Sequence, residues 1–288
     1  MNCGGGWIVS ARRNTNLSVM EQDIASGGRQ PAFFIPHGGG PCFFMDDPRA
    51  DWAPMADFLR SILPSLPERP KALLIISGHW EEPRFTVHAG KHPELLFDYY
   101  GFPPHTYQLR WDAPGAPELA ARIKALLDDA GIETGVEKQR GWDHGVFVPM
   151  KVALPDADIP TVQLSLKAGL DPADHIAVGQ ALAPLRDEGV LIIGSGMSFH
   201  NMRARDGSGL ALSHRFDDWL TDAVTGDPDH RAALLAGWED GDAARFAHPR
   251  EEHLLPLMVA AGAAGDDEAA QVFNGEVIGW AVSGYRFG

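Results

Sequence analysis

"AFFIPHGGGPCFFM", residues 32–45, decides how the rest of the chain is read. A short unbroken apolar run climbs to Pro36, and a histidine and three glycines follow. A run of that length, rich in aromatic and β-branched residues and bounded by Pro and Gly, reads as a buried strand. Proline closes it, having no N–H to give to a ladder. His37 therefore stands where a buried strand ends. The ending recurs. "KALLIISGHW", 71–80, runs unbroken into Gly78 and His79, and "GVLIIGSGMSFHN", 189–201, runs into a turn holding His200. Strands with no polar face need cover on both sides, which is the mark of a largely parallel sheet between helices.

The segments between these runs have helical character. "WAPMADFLRSILPSL" spaces Trp52, Met55, Leu59 and Ile62 along one face and stops at Pro64. "APELAARIKALLDDAG" carries Pro117 in its first turn, a stripe of Leu119, Ile123 and Leu126, and Gly131 as its stop. "DPADHIAVGQALAPLRDEG" offers Asp171 as N-cap with Pro172 just inside. "LSHRFDDWLTDAV", "HRAALLAGW" and "REEHLLPLMVAAGAAG" read as further helices, with Pro256 in the first turns of the last. "IPTVQLSL" reads as a strand, and "AAQVFNGEVIGWAVSGYRF" as a closing hairpin turning at Asn274-Gly275. No repeat and no internal linker divides the chain. The expectation is an α/β fold: a single domain over residues 31–288, with a central largely parallel or mixed sheet and helices on both faces. Residues 1–30, rich in Gly, Ser and Asn, read as a loose N-terminal extension in which Met20 is an alternative start.

Bulk properties narrow the function. The net charge of −15 argues against nucleic acid, which needs a basic stripe, and against an anionic membrane surface. No apolar stretch reaches the ~20 residues that span a bilayer. Two cysteines, Cys3 and Cys42, form neither a disulfide framework nor a paired-cysteine metal site and suit a reducing cytoplasm. Cys42, among large apolar neighbours, reads as core. The sequence is compatible with a homo-oligomer.

The histidines carry the chemistry. Parallel strands place their carboxyl ends on one side of the sheet, where ligands bind in open α/β folds. A lone histidine after a strand is an ordinary loop residue; three at strand ends, crowded by glycine, point to a metal or catalytic site. His144, in a turn within "RGWDHGVF", and His253, opening the helix of "REEHLLPLM", are the next candidates. Glu251, Glu252 and His253 are consecutive on that presumed helix. Side chains there diverge by about 100°, so only one should face a metal. Imidazoles suit Fe, Zn, Cu and Ni alike. His88, His92, His105, His175, His214, His230 and His248 read as surface or structural. The HGGG stretch is also found in esterase oxyanion loops, but no G-x-S-x-G elbow accompanies it: "GSGMS", 194–198, lacks the central serine. "HPREEH", 248–253, misses the i, i+4 spacing of helical zinc pairs.

Six stretches in order resemble the class III extradiol ring-cleaving dioxygenases, and most nearly their 4,5-DOPA dioxygenase type: "HGGGP", "LLIISGHW", "FDYYGFPPHTYQLRWDAPGAPELA", "GWDHGVFVPMKVALPDADIPTVQLSL", "LRDEGVLIIGSGMSFHN" and "EEHLLPLMVAAGAA". They cover roughly residues 31 to 288. The resemblance implies metal ligands at His37, His79 and His253, with Glu252 as a lesser candidate for the third. It implies His200 as the catalytic acid–base and His144 as a second active-site histidine. Fe(II) is then the working metal and Zn(II) an alternative occupant. A catechol-type substrate and O2 are the partners, and the product is a muconate semialdehyde-type acid. Gly78, where the subgroup often has alanine, and His105, unusual in its segment, are departures that bear on the substrate. The same three imidazoles would also suit a zinc-dependent hydrolase or lyase, or a non-catalytic metal-binding protein.

Overall fold

The structure, a computed structural model, describes residue 1 and residues 28–47, 50–204 and 209–288. The expected extension, apart from residue 1 and residues 28–30, lies outside the described residues, as do Met20 and Cys3. Eight strands form one sheet: β1 (Ala32–Pro36), β2 (Ala72–Glu82), β3 (Thr86–His88), β4 (Gly135–Glu137), β5 (Thr161–Lys167), β6 (Val190–Gly196), β7 (Ala269–Val277) and β8 (Trp280–Phe287). Nine helices surround it: α1 (Ala53–Ser61), α2 (Pro117–Asp129), α3 (His144–Ala153), α4 (Pro172–Leu182), α5 (Pro184–Asp187), α6 (Leu210–Thr225), α7 (Pro228–Ala236), α8 (Ala244–Ala247) and α9 (Leu255–Ala264), counted among the described residues.

The strand order is β4-β3-β5-β2-β6-β1-β8-β7. The middle four, β5-β2-β6-β1, are all parallel, and β2, β6 and β1 are the unbroken apolar runs of the sequence. The sheet is mixed because β8 runs antiparallel to β1 and to β7, and β3 antiparallel to β5. Adjacent residues of β6 show which helices cover which face, since successive side chains of a strand point to opposite sides. A Cβ on Gly194 would sit 2.2 Å from the Pro256 carbonyl oxygen of α9, so glycine is what lets that helix close on the sheet. Ser195, facing the other way, hydrogen-bonds to the Gly145 carbonyl of α3. Leu73, Leu74, Ile75 and Ile76 of β2 are consecutive and fully buried, as a strand covered on both faces requires.

Local chemistry sets most of the ends. Asp171 caps α4, its carboxylate accepting from the Ala173 N–H at 2.8 Å, a contact worth about 1 kcal/mol. Pro117 sits in the first turn of α2 as expected. Three local expectations fail. The closing hairpin exists, but it turns at Ile278-Gly279, while Asn274 and Gly275 are paired inside β7 with Ser283 and Val282. The last long helix begins at Leu255, so Glu251, Glu252 and His253 precede it instead of riding on it. His144 is the first residue of α3, a helix apolar on nearly every side that carries Pro149 within it. Its even hydrophobicity hides the 3.6-residue period that marks a helix in sequence. No helix among the described residues is long and apolar enough to cross a membrane.

Candidate metal centre

Because β1, β2 and β6 are parallel neighbours, their carboxyl ends lie together. His37 follows β1 directly and its N–H donates to the Gly196 carbonyl at 3.0 Å. Gly38 takes φ +81°, and a Cβ there would meet the Cys42 sulfur at 2.3 Å, so the chain can fold back tightly behind His37 only with glycine. His79 lies within the long β2, where its pairing with β5 shifts register between Ile76 and Glu81. His253 comes from the segment before α9, whose carbonyl accepts from the Met197 N–H at 3.0 Å.

The three rings converge. His79 Nε2 is 3.1 Å from His37 Nε2 and 3.2 Å from His253 Nε2. All three nitrogens lie within 4.8 Å of one another. Hydrogen bonds on the far side of the rings define their tautomers. Ser195 gives its only hydroxyl proton to the Gly145 carbonyl, so it accepts from His37 Nδ1–H at 3.1 Å. Glu252 accepts from His253 Nδ1–H at 2.9 Å. Both rings therefore present bare Nε2 lone pairs to the cluster. At most one proton, on His79, could be shared there, and lone pairs at this spacing repel. A cation satisfies all three at once. Metal–nitrogen bonds of about 2.0–2.1 Å at angles of 90° to 109° place nitrogens roughly 2.8–3.4 Å apart, which the two short distances match. The donor set thus fits a divalent metal.

Electrostatics agree. Burial, then the neighbouring imidazoles His79, His253 and His144, hold His37 well below the usual histidine range. His79 is lowered to about 4, by burial first and then by His144. Burial, then His200, lowers His253 in the same way, against the pull of Glu252. All three stay neutral, as ligands must.

A buried frame supports His79. Asp143, fully buried, accepts from Ser77 Oγ at 2.7 Å, Gln163 Nε2 at 2.6 Å and the Arg140 guanidinium at 3.2 Å. Arg140 also donates to the His79 carbonyl at 3.1 Å, and Ser77 Oγ accepts from the His79 N–H at 3.1 Å. One carboxylate thus ties the middles of β2 and β5 to the start of α3.

Two further imidazoles flank the cluster. His144 lies 3.9 Å from His79 between ring centroids. Its Nδ1–H donates to Asp98 at 2.8 Å, and its backbone N–H donates to the same oxygen at 3.0 Å. Burial raises the Asp98 carboxyl, but its bonds with His144 outweigh that and leave it lowered. His200 stacks on His253 at 3.5 Å, and its Nδ1 is 3.5 Å from Glu252. Burial raises Glu252 too, and its bonds to His200 and His253 win by a wide margin, holding it far below the carboxylate range.

The structure brings together all five histidines singled out in the sequence. It places Glu252 on the Nδ1 side of His253, away from the converging nitrogens. Of Glu251, Glu252 and His253 only His253 faces the converging nitrogens, as expected, although the three precede the helix instead of riding on it. His105 does not join the site; it donates to the Phe44 carbonyl at 2.9 Å, fastening two loops. Asp98, Asp143 and Ser195 went unnoticed in the sequence. The first two stand in "FDYYGF" and "GWDHG", stretches singled out for other residues. Ser195 stands in "GSGMS", a stretch read only for the serine elbow it lacks. His79, His144, His200 and His253 line a cavity of about 720 Å³ whose other walls are largely apolar.

Comparison with known proteins points one way. Residues 31–285 match the family described as the catalytic LigB subunit of aromatic ring-opening dioxygenase. The chain is 40% identical to 4,5-DOPA dioxygenase extradiol of Beta vulgaris, over 88% of this chain and 95% of that one. It is 37% identical to the dioxygenase tasH of Hapsidospora irregularis, over 91% of this chain and 86% of that one. A crystal structure of an uncharacterized protein from Escherichia coli K12 superposes with a TM-score of 0.73 at 29% identity, covering 90% of this chain and all of that one.

Proposed function

The chain belongs to the family of catalytic LigB subunits of aromatic ring-opening dioxygenases, and from that premise we propose how its residues divide the work. It is a metal-dependent extradiol dioxygenase, using a small aromatic substrate and O2. The zinc hydrolase or lyase that the same imidazoles would suit is not favoured by these relatives. The finer assignment is ours. His37, His79 and His253 hold the metal, Fe(II) in the working enzyme, and the ring is that of a catechol. The convergence of three lone pairs at 3.1 and 3.2 Å, with two more imidazoles beside them, carries this reading.

A bound Fe(II) supplies a redox-active Lewis acid with positions left for the catechol oxygens and for dioxygen. The protein supplies proton handling and placement. Glu252 engages His200 at Nδ1, which leaves Nε2 to take the proton of a catechol hydroxyl and return it as the ring opens. An imidazole both accepts and donates near neutral pH, which suits one group to both steps. Asp98 holds the Nδ1–H tautomer of His144, so Nε2 offers an acceptor to the other hydroxyl. Trp52, Tyr99 and Phe102 wall the cavity with apolar surface and keep water from the ring. The catalytic unit is residues 31–288 behind the extension 1–30, working in the cytoplasm without nucleic acid or membrane, consistent with the charge of −15.

The test is oxygen uptake by protein stripped of metal and reloaded anaerobically with Fe(II). Uptake with a catechol and a yellow ring-opened product is expected; iron-loaded protein that consumes no oxygen with any catechol overturns the reading.

A further inference from the structure

The hairpin that closes the sheet carries a residue its turn does not favour. Val277 pairs with Trp280, so the turn is the two-residue link Ile278-Gly279. Its φ values are +47° and +85°, both in the left-handed region that a type I′ turn demands. Asn or Asp followed by Gly is the preferred pair there, since a short polar side chain tolerates that backbone. Five non-glycine residues among those described have positive φ: Ala50, Ala157, Leu170, Ala243 and Ile278. Ile278 alone is β-branched, the side-chain type for which the region is a genuine outlier. Two residues before β7 ends, the same strand has an Asn-Gly pair that is not used as the turn.

Ile278 is strained for the fold and well placed for the site. Its side chain is half-buried, packs on the core and lines the cavity shared by the clustered histidines. The apolar walls around it are Trp52, Phe102, Met202 and Trp280. Trp280 spends its indole N–H on the Ala204 carbonyl at 2.9 Å and offers the cavity only its ring. Among the described lining residues there is no Lys or Arg, and the one carboxylate is Asp51. At about 720 Å³ the space exceeds what a bare six-membered ring fills and falls within the range of sites for larger ligands.

We propose that Ile278 is a specificity-determining residue that grips an uncharged, apolar ring substituent, so that the substrate class is the neutral alkyl- or aryl-substituted catechols rather than catechol carboxylates. The inference rests on the ring-cleavage reading above. A carboxylate in this cavity would lose its hydration among aromatic and thioether walls, inside a chain of net charge −15. An alkyl or aryl group would trade water for Ile278 and Trp280.

The experiment compares two catechols on the Fe(II)-loaded full chain, 4-propylcatechol and its carboxylate counterpart 3-(3,4-dihydroxyphenyl)propionate, with unsubstituted catechol as reference. Wild type is expected to favour 4-propylcatechol over the carboxylate by at least about 10-fold in kcat/KM. In Ile278→Asn, the ratio of 4-propylcatechol to catechol in kcat/KM should fall about 5- to 10-fold, through KM. The same variant should keep or raise its Tm, because Asn relieves the turn. Ile278→Val, equally strained but apolar, should hold the ratio within about 2-fold. A preference for the carboxylate overturns the inference. So does a lower Tm in Ile278→Asn with an unchanged ratio, which would make Ile278 structural. Absence of oxygen uptake with every catechol, including the reference, would instead defeat the ring-cleavage reading itself.

Discussion

The three converging imidazoles and the two that flank them are built differently. His37 and His253 are almost wholly buried, at 0% and 4% exposure. They point bare Nε2 atoms at each other and at His79. His200 and His144 lie at the cavity, and each has a carboxylate at Nδ1: Glu252 for one, Asp98 for the other. Burial keeps the first group neutral and ready to bind a cation. The carboxylates orient the second group and hold each ring by its Nδ1 side. Identical side chains thus receive separate tasks from their surroundings. Glu252 serves both groups, since it also accepts from His253.

Mutations of the two groups should part company. The largest effect is expected from the buried set. His253→Ala or His37→Ala should lose bound metal, measured by elemental analysis, and lose turnover by at least about 10³-fold. Next comes His200→Ala, which should keep its metal while kcat falls about 10²- to 10⁴-fold. If that variant lost its metal, the division between the groups would break. Smaller still is Asp98→Asn. It preserves the side-chain shape but weakens the acceptor for His144 Nδ1–H, and kcat should fall about 10- to 100-fold with metal content unchanged.

The smallest effect isolates burial from metal binding. His175 lies away from the centre, is fully buried, and is lowered to about 4 chiefly by burial. Its Nδ1–H donates to the Asp171 carbonyl at 2.7 Å and its Nε2 accepts from the Lys167 N–H at 3.3 Å, so the neutral ring is satisfied. The unfolded chain takes a proton near pH 6.5 while the fold resists until about 4. The stabilisation is therefore complete above pH 6.5 and is lost as pH falls toward 4. Between pH 7 and pH 5 this one residue should cost metal-free protein about 2 kcal/mol. Denaturant unfolding of His175→Gln should show a drop smaller by about that amount; an equal drop would mean that burial alone does not keep such a ring neutral.

Much of this was legible in the sequence because strand ends are legible. His37, His79 and His200 follow unbroken apolar runs, and parallel pairing of β1, β2 and β6 brings such ends together without knowledge of side-chain contacts. His253 and His144 could be assigned only by resemblance, since their segments meet the strand ends through tertiary packing. The helix over residues 250–265 was read about one turn too long at its start, and the error made Glu252 and His253 look like rivals when they are partners. Asn274-Gly275 is a strong local turn signal, yet pairing across β7 and β8 overrode it and moved the turn to a residue with poor turn propensity. Asp98 and Asp143 show no periodicity at all; their importance comes from where two loops meet.

The most direct test of the central claim follows the oxygen atoms. Fe(II)-loaded protein should be given one equivalent of a catechol under ¹⁸O₂ and the product weighed by mass spectrometry. Ring cleavage by a dioxygenase predicts one O₂ consumed per ring and a product carrying oxygen from the gas at both newly formed carbonyl positions, allowing for exchange of the aldehyde with water. A product without ¹⁸O, or an intact ring from protein that holds its iron, would contradict it.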